Sequence, residues 1–172
     1  MENLVLVGFM GTGKTCVGKL IARKLDMEYV NTDTLIEQKE GAPIKDIFDK
    51  KGEDYFRKIE KEIIAEVSKK QKAAIDTGGG VVINSSNVRD LKKNGIIFCL
   101  NATPKEILER TKKYIHRPLL NVDDPLKEIK RLLEARKEHY KKADYQIDTT
   151  GKNADEVSAK IIAIYNRKNG TR

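Results

Sequence analysis

Short apolar runs alternate with amphipathic stretches from one end of the chain to the other. Leu4 to Gly8, reading LVLVG, is a short aliphatic run that stops at glycine, the mark of a strand. Behind it, Val17, Leu20, Ile21 and Leu25 recur at helical spacing and give one apolar face. Four more strand-like runs follow: MEYVN (27–31), AAIDT (73–77), GIIFCLN (95–101) and DYQIDT (144–149). Helical patterns fill 52–69, 85–93, 104–113, 125–142 and 153–168, and Pro43, Pro104 and Pro125 each suit a first helical turn. Strands alternating with helices predict an α/β fold, with a central five-stranded parallel sheet flanked by helices on both faces. Repeats and low-complexity linkers are absent, so the 172 residues read as one domain. The least regular stretch, Lys112 to Pro125, reads as a mobile excursion from it.

Composition narrows the setting. Hydrophobic residues at 39% and charged residues at 35% fit a soluble domain with a wet surface. The longest apolar runs, such as Leu4 to Val7 and Ile161 to Ile164, are too short for a membrane span. The start, MENLVLVG, carries no signal-peptide pattern. Two cysteines, Cys16 and Cys99, cannot build a disulfide framework, which indicates a reducing compartment, the cytoplasm. Both are expected to be small buried residues, although Cys16 stands near a helix start, where a thiol pKa falls. The net charge of +8 admits a polyanionic partner. The lysine pairs are scattered among glutamates, however, and aromatics make up only 6%. No nucleic-acid platform is therefore expected. A small, highly charged anion accounts for the balance equally well.

Gly8 to Thr15, GFMGTGKT, satisfies G-x-x-x-x-G-K-[ST] directly after a strand and at the opening of an amphipathic helix. Glycines let backbone N–H groups converge on phosphate oxygens, and the helix N-terminus adds partial positive charge. Lys14 would reach the β- and γ-phosphates, and the Thr15 hydroxyl would ligate Mg²⁺. A switch, a motor and a small-molecule kinase share this motif.

Polar residues in unusual places narrow that choice. Arg136 occupies an apolar stripe with Leu126, Ile129, Leu133 and Tyr140. It either meets an anion there or snorkels at the core rim. Arg57 and Glu60, one turn apart, flank a stripe of Phe56, Ile59, Ile63 and Val67; spacing alone also fits a surface ion pair. Asp33 follows the second strand, at the sheet edge where such folds bind ligands, or else caps the next helix.

Taken together, these residues resemble the shikimate kinases, small P-loop enzymes of the nucleoside-monophosphate-kinase-like class. The likeness covers nearly the whole chain in order: GFMGTGKT, YVNTDTLIE, IFDKKGEDYFRKIE, TGGG, HRPLL and LLEARKEHYKKAD. It implies transfer of the γ-phosphoryl of ATP·Mg²⁺ to one ring hydroxyl of shikimate, the 3-hydroxyl, on the route to chorismate and the aromatic amino acids. It also implies roles by position. Arg57 and Arg136 would clamp the substrate carboxylate, since arginine suits bidentate geometry. Asp33 would hydrogen-bond the reacting hydroxyl, and Glu60 a neighbouring hydroxyl or Arg57 itself. Gly78, Gly79 and Gly80 would approach the ring, with Phe48 and Phe56 on its apolar side. Gly11, Thr12, Gly13, Lys14, Thr15 and Cys16 would hold the phosphates. Arg117 would close over them from a lid at about 112–124, while the substrate-binding segment would span about 33–61. Arg110 would pack on adenine, a role that the stretch around Thr149 to Ala154, with Lys152, would complete. Lys14, Asp33 and Arg117 would carry the catalysis.

One departure stands out. The family commonly shows Asp-x-Asp after its second strand, where this chain has Asn31-Thr32-Asp33. Asp76, directly before TGGG, ends the third strand beside the P-loop, where P-loop proteins keep a magnesium-side acid. It either takes over the carboxylate function absent at Asn31 or merely caps the loop. His116 and His139 have no partners at useful spacing and read as surface residues. Kinases acting on gluconate or a nucleoside monophosphate, and a non-catalytic ATP-binding module, are the rival readings. No spare apolar stripe asks for a partner, so a monomer is expected.

Overall fold

In the computed structural model, which describes residues 2–112 and 122–170, the five apolar runs form five strands. These are β1 (Asn3–Gly8), β2 (Glu28–Asn31), β3 (Ala73–Asp76), β4 (Gly95–Asn101) and β5 (Tyr145–Asp148). All pair in parallel, in the order β2-β3-β1-β4-β5. Parallel neighbours need long crossovers, which helices supply. The described helices are α1 (Lys14–Leu25), α2 (Thr32–Glu40), α3 (Ile44–Val67), α4 (Ser85–Lys93), α5 (Pro104–Thr111), α6 (Pro125–Tyr140) and α7 (Ala154–Lys168).

The two-residue period of a strand splits the core into two layers. Leu4 and Leu6 of β1 face Val17 and Ile21 of α1 and Ile161 and Tyr165 of α7. Val5 and Val7 face the opposite layer, with Ile36 of α2, Ile64 of α3, Val88 of α4, Ile107 of α5 and Ile129 of α6. Each fully buried aliphatic side chain of this kind contributes about 1.5–3 kcal/mol. The sheet is thus covered on both faces, as the alternation of elements predicts.

Every strand runs the same way, so the loops after all five open on one edge of the sheet. The chain leaves β1, forms β2 at the edge, returns for β3 and then crosses to β4 on the other side of β1. Ligands of such sheets bind at the carboxyl ends, where the order reverses.

Two elements differ from the sequence expectation. The helix expected over 52–69 is the second half of α3, which starts at Ile44 and is broken by Gly52 at φ 82° and ψ 171°. α2 has only Leu35 and Ile36 as large apolar residues, too few for periodicity to register. Its ends are set by local chemistry: the Asn31 side chain accepts from the Thr34 amide, and Gly41 closes the helix at φ 64°. Asn31, rather than Asp33, is therefore the cap. No helix among the described residues is long and apolar enough to cross a membrane.

Candidate active site

Two glycines and one hydroxyl shape the loop after β1. Gly8 packs so closely on β4 that a Cβ would lie 2.3 Å from the Leu100 carbonyl oxygen. Gly13 takes φ 94° and opens α1 with no side chain capping its first turn. The Thr12 hydroxyl, buried, donates to the Phe9 carbonyl at 2.7 Å and stitches the loop together. Lys14 Nζ arches back over the loop and donates to the carbonyls of Gly8 at 2.8 Å and Phe9 at 3.2 Å. Cys16 lies exposed on this turn, contrary to the expectation of burial, because helical phase points Val17 and Gly18 inward instead. Cys99 is buried as expected, and burial pushes its thiol up to about 12, against the pull of the Lys14 charge.

Beside the loop, Asp76 ends β3 and is only 2% exposed. Its Oδ2 accepts three hydrogen bonds: from the Thr15 hydroxyl at 2.7 Å, Asn31 Nδ2 at 2.8 Å and the Tyr29 hydroxyl at 2.9 Å. Asn31 and Asp76 are direct register partners in the β2–β3 pairing, so the contact follows from the sheet itself. Burial first, and the Asp76 charge second, push the Tyr29 phenol up to about 12, which keeps it a donor. The Thr15 hydroxyl, a carboxylate and a carboxamide form a set of hard oxygen donors of the kind Mg²⁺ takes, so the donor chemistry fits that ion.

The run Thr77–Gly80 leads away from this corner, anchored by the Thr77 hydroxyl donating to the Leu6 carbonyl at 2.9 Å. None of its three glycines has a positive φ. Their function is room. A Cβ on Gly78 would lie 2.7 Å from Asp33 Oδ1, and one on Gly80 would lie 2.6 Å from Arg57 Nη2. At Gly79 a Cβ would reach Arg136 Nη1 at 3.8 Å. Asp33, Arg57 and Arg136, carried by α2, α3 and α6, therefore converge on one short piece of backbone.

Arg57 donates to Glu60 at 3.0 Å and to Glu53 at 3.0 and 3.2 Å. The Arg57–Glu60 pair is no ordinary surface pair, because the Glu60 side chain is 2% exposed. Burial raises the Glu60 pKa; the charges of Arg57 and Arg136 oppose the rise and that of Asp33 adds to it. Below these groups lie Phe56, with the Arg57 guanidinium 5.2 Å from its ring, and Phe48, 4.6 Å from Phe56 between centroids. The Arg136 guanidinium sits 5.6 Å from the Phe9 ring, at the rim of the core.

A cleft of about 850 Å³ joins the P-loop, Asp76, Asp33 and Gly79 to the loop after β5. There Arg110 pairs with Glu106 at 2.9 Å and donates to the Thr149 carbonyl at 2.8 Å and hydroxyl at 3.0 Å. Lys152 Nζ donates to the Asp148 carbonyl at 3.0 Å. Arg117, His116 and most of the expected lid fall outside the described residues. His139 lies half-buried at the surface, with its Nδ1 turned from solvent and without a hydrogen-bond partner among the described residues.

Sequence reasoning missed Glu53, Tyr29, Thr77 and Tyr140 as site-building residues. Glu53 stands four residues before Arg57, a signal present in the sequence. The Tyr140 hydroxyl donates to the Gly79 carbonyl at 2.7 Å, a partner that no spacing rule reveals.

The shikimate kinase family model matches residues 10–166. The shikimate kinase of Thermodesulfovibrio yellowstonii is 50% identical over 97% of this chain and 96% of its own. That of Caldicellulosiruptor bescii is 45% identical over the whole of both. Among solved structures, shikimate kinase from Acinetobacter baumannii in complex with shikimate superposes with a TM-score of 0.93 at 36% identity, covering 98% of this chain and 94% of that one. A gluconokinase from Sinorhizobium meliloti, at 16% identity and a TM-score of 0.61, shares the fold alone. Because the likeness runs through the segments after β2 and β3 and through α6, and not the P-loop only, the chain belongs to the shikimate kinase family.

Proposed function

We propose that the protein transfers the γ-phosphoryl group of ATP to the 3-hydroxyl of shikimate, releasing ADP and shikimate 3-phosphate. One observation carries the reading. Two arginines and two carboxylates, Arg57, Arg136, Asp33 and Glu60, meet around Gly78–Gly80 next to the P-loop. A monocarboxylate bearing several hydroxyls matches that set, with guanidinium forks for the carboxylate and acceptors for the hydroxyls. Family membership, and the relative solved with shikimate bound, support it.

The division of labour follows from position. The P-loop backbone and Lys14 hold the phosphates, and Arg110 with Lys152 lines the nucleoside side of the cleft. Mg²⁺ would be held at the Thr15 hydroxyl, with Asp76 and Asn31 behind it, and when bound it supplies positive charge to the β- and γ-phosphate oxygens. Arg57 and Arg136 fix the acceptor by its carboxylate, and Glu60 holds Arg57 in place. Asp33 accepts the hydrogen bond of the reacting hydroxyl and so aims an oxygen lone pair at phosphorus. That oxygen bonds to the γ-phosphorus as the bridge to the β-phosphate breaks; ADP keeps the electron pair, and the hydroxyl proton leaves along its hydrogen bond to Asp33. Arg117, by resemblance, closes the phosphates from the lid and keeps water out. The absence of large exposed apolar side chains other than Ile83 and Val122 among the described residues supports a monomer, and the unpaired cysteines support the cytoplasm.

The test is ADP release from ATP·Mg²⁺ with shikimate, gluconate or a nucleoside monophosphate as acceptor. Turnover should require shikimate. Acceptor-independent turnover, preference for another acceptor, or no turnover would overturn the reading.

A further inference from the structure

Asp76 is a buried carboxylate, and its three hydrogen-bond donors among the described residues, Thr15, Asn31 and Tyr29, are all neutral. Burying a carboxylate on neutral donors costs free energy that a nearby cation offsets. All three donors converge on Oδ2, Oδ1 accepts no hydrogen bond from a described residue, and Asp76 lines the nucleotide cleft. The bond from Thr15 has a chemical consequence. A hydroxyl that ligates a cation through its oxygen must direct its hydrogen elsewhere, and Asp76 Oδ2 receives it at 2.7 Å. Groups behind a ligand set its orientation and its basicity in this way.

We infer that Asp76 is the positioning carboxylate for the divalent metal that accompanies the nucleotide, and that Asn31 is its replaceable neutral partner. The inference rests on the kinase reading above and deepens it. Asn31 and Asp76 are register partners at the carboxyl ends of β2 and β3, joined by a hydrogen bond of 2.8 Å. Acid and amide stand side by side at the same depth of the sheet, so exchanging them preserves one charge and one hydrogen bond. A residue that only capped the loop would carry no such equivalence. Asp76 acts through Thr15 and the metal's own shell, not on the acceptor.

The experiment is equilibrium titration of ADP into the wild type, Asp76→Asn and the double variant Asn31→Asp/Asp76→Asn, each with Mg²⁺ and with EDTA. Bound Mn²⁺, read by its electron paramagnetic resonance signal with ADP present, is the second readout. Asp76→Asn is near-isosteric, and its ADP affinity in EDTA reports whether the P-loop is intact. That affinity should stay within about threefold of wild type, while the gain from Mg²⁺ falls on the order of 10- to 100-fold, as for other groups behind a metal ligand. The Mn²⁺ signal should weaken in parallel, and the double variant should recover most of the gain. The inference is overturned if Asp76→Asn keeps the full gain from Mg²⁺. Equal loss of ADP affinity in EDTA, or a double variant no better than the single one, overturns it too. A wild type that binds no ADP at all would instead overturn the kinase reading.

Discussion

At Gly80 a single hydrogen atom stands where any other residue would place a carbon. Its φ of −98° suits alanine, so the backbone sets no objection. The objection is Arg57, whose two terminal nitrogens would lie 2.6 and 2.7 Å from the new Cβ. A flexible guanidinium yields to a fixed Cβ, so Gly80→Ala should fold normally with Arg57 displaced. Displacements of about an ångström at a reacting centre cost up to about 10²-fold in rate. The expected outcome is a shikimate KM raised on the order of 10- to 100-fold, with the ATP KM and the thermal midpoint little changed. Steady-state kinetics against each substrate checks it, and an unchanged shikimate KM would refute it. The sequence made TGGG legible as a backbone that something approaches closely. It did not reveal that Arg57, Asp33 and Arg136 are what approach, because those contacts exist only once α2, α3 and α6 have packed. Arg136 shows the same limit: spacing placed it in an apolar stripe and left two readings open. The structure puts its guanidinium 5.6 Å from the Phe9 ring and within reach of Gly79, at the rim of the core, as the snorkelling description has it, and the anion belongs to the proposed substrate.

Among the elements, α3 carries most of the acceptor side, and its break at Gly52 sets how its halves meet. Ile47 and Phe48 lie before the break, and Glu53, Phe56, Arg57 and Glu60 after it. The bend brings Phe48 against Phe56 at 4.6 Å, a contact that a straight helix, with these residues eight apart, would stretch to about two turns. Gly52 adopts φ 82° and ψ 171°, a region essentially restricted to glycine, and a Cβ there would meet nothing within 4 Å. The cost of Gly52→Ala is therefore purely conformational, about 1–3 kcal/mol. Urea unfolding should show that loss, whereas Asp49→Ala, three residues away and exposed on the helix surface, should stay within about 0.5 kcal/mol. Equal stability of Gly52→Ala and wild type would mean that the break is not built into the chain. Element boundaries were legible where local chemistry reinforced periodicity. α4 coincides with its expected 85–93 span because Asn84 caps it and its apolar residues repeat. α2 was not legible, since its stability comes from caps and from Ile36 in the shared core.

Across the whole molecule, the alternation of strands and helices was enough to specify the parallel sheet, because apolar runs buried on both faces leave no other arrangement that satisfies the backbone. What alternation cannot state is which side chains burial leaves protonated, and this sets the behaviour of the fold in alkali. Burial pushes the Cys99 thiol from 9.0 to about 12 and the phenols of Tyr29 and Tyr140 from 10.0 to about 12, and it raises Tyr165 as well. In each case the native state holds a proton that the unfolded chain releases at lower pH. From about pH 8 to about 12 the unfolded state therefore binds fewer protons than the native state, and stability falls as pH rises. Below about pH 8 these four groups are protonated in both states and impose no slope, and the unfolded thiol begins to lose its proton first. The urea midpoint should accordingly be level up to about pH 8 and decline steadily from there to about pH 11. Tyr140→Phe separates this effect from general weakening. It removes the hydrogen bond to the Gly79 carbonyl, which lowers stability at neutral pH by about 1 kcal/mol, and it also removes one of the titrating groups. The variant should start lower and decline less steeply, so that its curve approaches that of the wild type in alkali. Parallel curves would show that Tyr140 is not among the groups whose protons the fold retains.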